Sequence, residues 1–267
     1  KNPFNIANPI ADDGSIKSDA KLMLDEDWFD LAHRTGNVRE HNLSASGGND
    51  LTRFYFSGTY YGLDAITKPD ELQKLMGHIN VTTQVNKRIK TGYTATFNYQ
   101  NGNTVKDITN GSGTGYAAYA YPNNVPLYQI DENFNTVLDA DGEPVWNWDN
   151  LVSKDYNPIA QTILDPRSHR SSSIFNSVNL NWLILNGLTF DTKVSGRISN
   201  FNSDEFRNPF HGDGKAYGGS STKNQNDSRR FMTTSILTYE KDFLTDHSVN
   251  FLAGYETEYY IYKSVSS

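Results

Sequence analysis

The chain of 267 residues contains no cysteine, which excludes disulfides and thiolate metal sites. It also has no apolar run approaching the roughly 18 residues that a membrane helix needs. Trp182-Leu183-Ile184-Leu185 is among the longest such runs. Helical spans are thereby excluded, but barrel strands are not, since these need only about 9–11 residues of alternating pattern. Hydrophobic residues make up 36% of the chain, below the usual globular share. An excess of positive charge is missing as well: 24 Lys and Arg face 31 Asp and Glu, a net charge of −7 that argues against a general nucleic-acid binder. His33, His41, His78, His169, His211 and His247 are scattered without the i,i+4 spacing of a ligand pair, so no metal site is predicted. No Gly-x-Ser-x-Gly elbow occurs, and no pair stands out among the acids. Neither an enzyme nor a cofactor is expected.

What the chain does have is aromatic residues, 13% in all, with 16 Tyr and 14 Phe. It also has strict alternation. Leu75, Gly77, Ile79, Val81, Thr83 and Val85 alternate with Lys74, Met76, His78, Asn80, Thr82 and Gln84. Ile89, Thr91, Tyr93, Ala95, Phe97 and Tyr99 alternate with Lys90, Gly92, Thr94, Thr96, Asn98 and Gln100. From Leu188 to Ser199, the face carrying Phe190, Val194 and Ile198 is free of charge, while Asp191, Lys193 and Arg197 share the other. Phe54, Phe56, Gly58 and Tyr60 form one face of another segment, as do Val249, Phe251, Ala253, Tyr255 and Tyr259 of a further one. Period two with one charge-free face predicts strands between two different environments. Lys or Arg facing lipid near the midplane would cost roughly 2–4 kcal/mol, which explains charge on one side only. Two segments fit less well. Asn176 interrupts the face of Ile174, Val178, Leu180, Trp182 and Ile184. From Ser228 to Glu240 apolar residues fall on both faces, with Phe231, Leu237 and Tyr239 against Met232 and Ile236, and the register stays open. Alternation alone also fits a soluble antiparallel sheet with one wet face.

The connections favour the barrel. Gly47-Gly48-Asn49-Asp50, Asn86-Lys87-Arg88, Asn186-Gly187 and a turn around residues 241–246 are short. Between them lie longer polar stretches at 62–71, 101–168 and 201–227. Short and long connections that alternate put all the long ones at one end, as in outer-membrane barrels with tight periplasmic turns and long extracellular loops. This reading places Thr114, Asp139 and Gly214 outside the cell and Asn49, Lys87 and Gly187 in the periplasm. Residues 1–37 read as an extracellular lead-in and 38–267 as a barrel segment, with long extracellular loops at about 101–168 and 201–227. Gly58, Gly77, Gly92 and Gly196 inside strands could relieve crowding or mark bends, or be tolerated positions on a large, gently curved wall. The chain starts at Lys1 without a signal-peptide pattern and stops soon after a strand, which reads as an internal piece of something longer.

Several runs together resemble a known family. These are Asp27-Trp28-Phe29-Asp30, Arg34-Thr35-Gly36, His41-Asn42-Leu43-Ser44-Ala45-Ser46-Gly47-Gly48-Asn49 and Phe54-Tyr55-Phe56-Ser57-Gly58-Thr59-Tyr60. Gly77-His78-Ile79-Asn80-Val81, Val85-Asn86-Lys87-Arg88-Ile89-Lys90, Asn186-Gly187-Leu188-Thr189-Phe190, Leu237-Thr238-Tyr239-Glu240 and Ala253-Gly254-Tyr255-Glu256 extend the match. In this order they resemble the barrel of SusC/RagA-type TonB-dependent outer-membrane transporters of Bacteroidetes. The resemblance implies a 22-stranded barrel around an N-terminal plug, a SusD-like surface lipoprotein partner, TonB acting through the plug, and import of glycans or peptides. Plug, TonB box and closing strand are not visible here. The expected fold is therefore all-β: an antiparallel up-and-down transmembrane β-barrel segment of about eight strands, open as it stands.

Two loop motifs carry little chemistry. Gly111-Ser112-Gly113-Thr114-Gly115 lacks the Lys-Ser/Thr ending of a phosphate-binding loop and reads as a flexible loop. Asp131-Glu132-Asn133-Phe134-Asn135-Thr136 starts like a calcium loop, but Thr136 replaces the required Gly and Gly142 stands where the bidentate Glu belongs. Asp139-Ala140-Asp141-Gly142 instead predicts a turn between Thr136-Val137-Leu138 and Pro144-Val145-Trp146. The stretch 101–168 concentrates Tyr116, Tyr119, Tyr121, Tyr128, Trp146, Trp148 and Tyr156 among Asn and Asp. Aromatic faces beside amides suit a sugar or peptide, so Trp146, Trp148, Tyr121 and Tyr128 are the candidate ligand contacts. Packing within the loop or against a lipoprotein is the alternative for the same rings. Two other classes compete with the transporter. A soluble carbohydrate-binding β-sandwich would use the same aromatics as a platform, and a β-rich hydrolase would need a catalytic set that the sequence does not display.

Overall fold

The computed structural model describes residues 2–104, 114–149, 152, 156–243 and 247–267. Eight strands form one antiparallel sheet in which spatial order is chain order. They are β1 Asn37–Gly48, β2 Thr52–Asp64, β3 Glu71–Asn86, β4 Ile89–Asn103, β5 Arg167–Leu185, β6 Leu188–Arg207, β7 Ser220–Phe243 and β8 His247–Ser266. Among the described residues three short α-helices, α1 Trp28–Ala32, α2 Thr114–Ala120 and α3 Pro158–Leu164, lie in the lead-in and the longest connection. Among the described residues no helix is long and apolar enough to cross a membrane. β1 and β8 are unpaired edges, so the sheet is open as expected.

Register converts the alternation into two continuous faces. One cross-strand row runs Ala45–Phe56–Ile79–Ala95–Asn176–Gly196–Phe231–Tyr259, and the next runs Phe54–Val81–Tyr93–Val178–Val194–Thr233–Thr257. Neither contains a charge. The opposite face carries rows such as Ser57–His78–Thr96–Phe175–Arg197–Arg230–Tyr260. The ambiguous β7 is settled by its partners. Leu237 lies between Phe190 and Ala253, and Phe231 between Gly196 and Tyr259, which turns Met232 and Ile236 to the polar side. The Phe231 ring covers Gly196 so closely that an added Cβ would meet it at 3.2 Å. That glycine is therefore more than tolerated, whereas Gly58 has open space above it. Asn176, the polar member of the uncharged face, accepts a hydrogen bond from the Tyr93 hydroxyl at 2.7 Å. A carboxamide facing an apolar medium is costly unless it is bonded in this way.

The tight turns hold this register. Asn86 accepts from the backbone N–H groups of Arg88 and Ile89 at 2.8 and 3.0 Å, closing the β3–β4 hairpin. Gly187 sits at φ +85°, and a Cβ there would lie 2.2 Å from the Glu240 carbonyl oxygen. Only glycine meets both demands. The corresponding β7–β8 turn includes residues 244–246, which lie outside the described set. At the other end the connections span 65–70, 104–166 and 208–219. The third is shorter than the 201–227 expected from polarity. Asn202, Asp204, Lys223 and Gln225 continue the ladder as paired strand residues, because backbone pairing requires no apolar side chain.

The two faces predict opposite outcomes at neighbouring positions. Val194, 53% exposed in the uncharged row, should not tolerate arginine. Val194→Arg should cost roughly 2–4 kcal/mol and lower the amount of assembled full-length protein in the membrane. Ser195→Arg, on the face of Lys193 and Arg197, should assemble close to wild type. Equal losses in assembled protein, read by heat-modifiable gel mobility, would contradict this register.

Candidate functional site

The loop end of the sheet carries a small lobe with its own apolar core. Trp28, Ala32, Tyr121, Val125, Leu127 and Ile159 are buried together, with Tyr128, Trp146 and Val152 packed against them. Asp27 starts α1 by accepting from the N–H groups of Phe29 and Asp30 at 2.9 and 3.1 Å. Trp28 then points inward, and its indole N–H donates to the Val125 carbonyl at 2.9 Å. Arg34 fastens the lead-in to the first connection, donating to the carbonyls of Ala65 and Asp70 at 2.9 and 2.8 Å.

The centre of the lobe is Asn157, which is 0% exposed. Its amide donates to the carbonyls of Leu127 and Asn147 at 2.9 and 3.1 Å, while its oxygen accepts from the Ala160 N–H at 3.1 Å. One side chain thus caps α3 and ties it to the segment 127–147. Pro158 follows at the first helical position. This Asn-Pro start is a signal readable in the sequence that the site prediction did not use.

Three short extended pieces stack within the lobe through the bridges Tyr128–Trp146, Ile130–Thr136 and Leu138–Pro144. The expected turn at Asp139-Ala140-Asp141-Gly142 is there, with Asp139 accepting from the N–H groups of Asp141 and Glu143 at 2.9 Å each. Asp131 does the same for Asn133 and Asn135 at 2.8 Å each. These carboxylates are thus engaged with backbone. Of the glycine-rich run, 111–113 lie outside the described residues, while Thr114-Gly115 open α2.

The four predicted aromatics share this lobe but not one environment. Tyr121 is 5% exposed and lies against Trp28, ring centroids 4.5 Å apart. Tyr128 and Trp146 are half-buried and meet at 4.6 Å. Trp148, also half-buried, stands apart from them and stacks on His211 at 4.0 Å with planes 9° apart. His211 is 4% exposed, and neither ring nitrogen has a hydrogen-bond partner among the described residues. Burial pushes its pKa down against the opposing charge of Asp165. Gln161, buried beside Gly212, likewise leaves its amide without a partner among the described residues. No sequence signal marks either residue, since their pairing arises from loops far apart in the chain. Tyr156 adds another link between the same loops, donating to Asp213 at 2.6 Å.

Below the lobe the inner face is a hydrogen-bonded polar surface. Asn80 donates to Thr94 at 3.0 Å, Asn181 to Asp191 at 2.6 Å, and Thr234 to Glu256 at 3.0 Å. Arg197 lies over the Phe175 ring, and Arg230 lies over Tyr260 while pairing with Glu258 at 3.1 Å. Near the loop end a hollow of about 550 Å³ is lined by Lys74, Asn98, Gln100, Ser171, Ser173 and Asn226. Hydroxyls and amides in such numbers suit a neutral polar ligand.

An open, up-and-down wall with one uncharged face, one polar face and a loop-built cap is the architecture of an outer-membrane barrel segment. Comparisons with known proteins agree. The chain is 24% identical over 239 residues to TonB-dependent receptor P3 of Formosa agariphila, covering 86% of this chain and 22% of the relative. To TonB-dependent receptor P39 of the same organism it is 26% identical over 249 residues, covering 89% and 21%. The chain therefore spans about a fifth of the length of the curated relatives it matches. Among solved structures it superposes on the RagAB peptide transporter with a TM-score of 0.65 and 19% identity, covering 91% of this chain and 27% of that one. The 'open-open' state of the RagAB peptide importer gives a TM-score of 0.66 at 18% identity. No family model matches. By sequence the chain is thus a relative of TonB-dependent receptors, and by fold it is a segment of a RagA-like barrel. These relatives are receptors and transporters rather than enzymes.

Asn157→Ala would take their side-chain partner from the buried Asn147 carbonyl and the Ala160 helix N–H, and would leave the Leu127 carbonyl with the Asn147 N–H alone. A loss of about 2–4 kcal/mol of local stability is expected, from a buried polar group's cost of about 1–3 kcal/mol and a lost cap of about 1 kcal/mol. Limited proteolysis of the full-length protein should then cut between residues 114 and 166 at lower protease concentration, with the sheet unaffected.

Proposed function

We propose that this chain forms part of the wall and outer cap of a TonB-dependent importer of large polar nutrients, glycans or peptides, in the outer membrane of a Bacteroidetes-like bacterium. The observation that carries the reading is the pair of faces. An uncharged band on one face continues across all eight strands, and behind it lies a face of bonded amides, hydroxyls and charges. A bilayer outside and a polar passage inside explain both together. The soluble sandwich is disfavoured by the same observation, because among the described residues all eight strands belong to one sheet and no second sheet covers the apolar side.

In this reading the lobe lies outside the cell, at the mouth. A SusD-like surface lipoprotein closes over it, and TonB acts through a plug elsewhere in the complete protein. Tyr121 anchors the lobe, while the half-exposed edges of Tyr128, Trp146 and Trp148 meet the nutrient or the lipoprotein. Peptide is the first cargo to test, since the similar RagAB structures are those of a peptide importer.

Two measurements test the proposal. Single cysteines in the otherwise cysteine-free segment, at Ala140 and Lys215, should react with a membrane-impermeant maleimide on intact cells. Those at Asp50 and Lys87 should react only after the outer membrane is opened. Equal labelling of the two sets would overturn the orientation. Trp146→Ala combined with Trp148→Ala should reduce uptake of the cognate peptide or glycan by cells about tenfold, the loss of roughly 1.4 kcal/mol of binding. Unchanged uptake would remove these rings from the nutrient path.

A further inference from the structure

The uncharged face does not end abruptly toward the loops. Its last apolar row, Phe97–Ile174–Ile198, runs into Arg229 and Ile261. Above it on the same outward face come Tyr99–Ser172–Asn200–Asp227–Lys263, then Asn101–Arg170–Asn202–Gln225–Val265, then Asn103–Ser168–Asp204–Lys223. Within a few residues the surface changes from hydrocarbon-compatible to a field of amides and cations. A hollow of about 380 Å³ opens there, lined by Asn101, Arg170, Asn202, Asp204, Lys223 and Gln225.

The charges in this field are poorly matched internally. Arg170, Arg229 and Lys263 have no carboxylate within ion-pair distance among the described residues. Asp227 is occupied by the amides of Asn200 and Gln225 at 2.6 and 3.3 Å. Asp204 holds Lys223 only loosely, at 3.7 Å. Over β5 to β8 this outward field carries Arg170, Lys223, Arg229 and Lys263 against Asp204 and Asp227, a local positive excess on a chain whose net charge is −7, while the acids of the same row, Glu71 and Asp64, lie beyond it on β3 and β2. Each strand residue rises about 3.3 Å and barrel strands tilt by about 35–45°, so Arg170 stands roughly 10 Å above the last apolar row. That is headgroup depth in a bilayer. Arginine and lysine converging there with amides between them fit a phosphate monoester. Arginine binds it through paired N–H groups, and lysine as a point charge.

We propose that this hollow seats the phosphorylated headgroup of a glycolipid of the outer leaflet, with its acyl chains lying against Ile174, Ile198, Phe231 and Tyr259. Arg170 and Lys223 take the phosphate, Asn202 and Gln225 the sugar hydroxyls, and Arg229 and Lys263 a second anionic group closer to the hydrocarbon. The site rests on the membrane reading given above but concerns the outer surface, away from the nutrient path.

The test uses the full-length protein, purified from outer membranes and stripped of lipid with detergent. Bisphosphorylated lipid A is then titrated against it and followed by native mass spectrometry. Wild type should bind it in a fixed small ratio. Arg170→Gln combined with Lys223→Gln should bind it about tenfold more weakly, as expected on removing charge-assisted bonds to phosphate. Arg170→Lys should retain part of the affinity, and Lys193→Gln on the inner face should retain all of it. Enzymatically dephosphorylated lipid A should bind weakly to every form. Equal affinity of wild type and the double variant, or of the two lipids, would overturn the assignment, as would loss from the double variant of a co-purifying protein instead of lipid. Recovery of the wild-type protein outside the outer membrane would overturn the membrane reading as well. Outer-membrane recovery with unchanged lipid A affinity would overturn this site alone.

Discussion

A slip of one residue in any pairing would exchange the two faces from that strand onward, and everything else in the structure depends on preventing it. Side chains alternate with period two, so register alone decides whether Val178 or Asn179 meets the outer medium. Among the described residues no second layer packs on the sheet to enforce the choice. Enforcement comes from the tight turns and from contacts between neighbouring strands. Asn86 locks one turn, Gly187 another, and the Phe231 ring lies so close over Gly196 that any Cβ there would press on it. The Tyr93–Asn176 bond adds a polar key on the uncharged face: shifted by one residue, both partners would lose it.

The same register places charge. Arg197 stands directly opposite Arg230, a pairing that would be unfavourable without compensation. Each guanidinium lies over an aromatic ring, and Glu258 pairs with the second. These two guanidinium groups thus rest on neighbouring rings instead of facing one another bare. The amides and hydroxyls of the inner surface nearer the loop end lie beneath the lobe built from the longest connection.

The strand pattern was legible because each of the clear segments keeps charge on one face alone, from Leu75 to Val85 and from Leu188 to Ser199. β7 was not, because Met232 and Ile236 are apolar residues on the polar side, and only Phe190, Gly196 and the β8 partners show which way they face. The extent of β6 and β7 was also hidden: Asn202 and Gln225 look like loop residues but are paired, since polarity reports the environment of a side chain and not the bonding of its backbone. At the lobe, composition marked the aromatic cluster, and the turn at Asp139 was readable from its residues. That Tyr121 would be buried while Trp148 stacks on His211 depends on contacts between segments far apart in sequence, which no local window contains.

Trp28 and Val125 are 97 positions apart, yet one hydrogen bond joins them at the heart of the lobe. Asn123 likewise reaches back to Asp25, 98 positions away. Between these partners lie four complete strands. The side chains of Asp25 and Trp28 therefore find these partners only once β4 and the connection beyond it are present, and closing so long a loop is entropically costly. All residues of the lobe core lie before β5, and the pairing of β1 to β4 is what brings its two parts to the same end of the sheet. The first four strands are thus the frame of the lobe as well as part of the sheet: a register slip among them would move Trp28 away from Val125 and open the lobe.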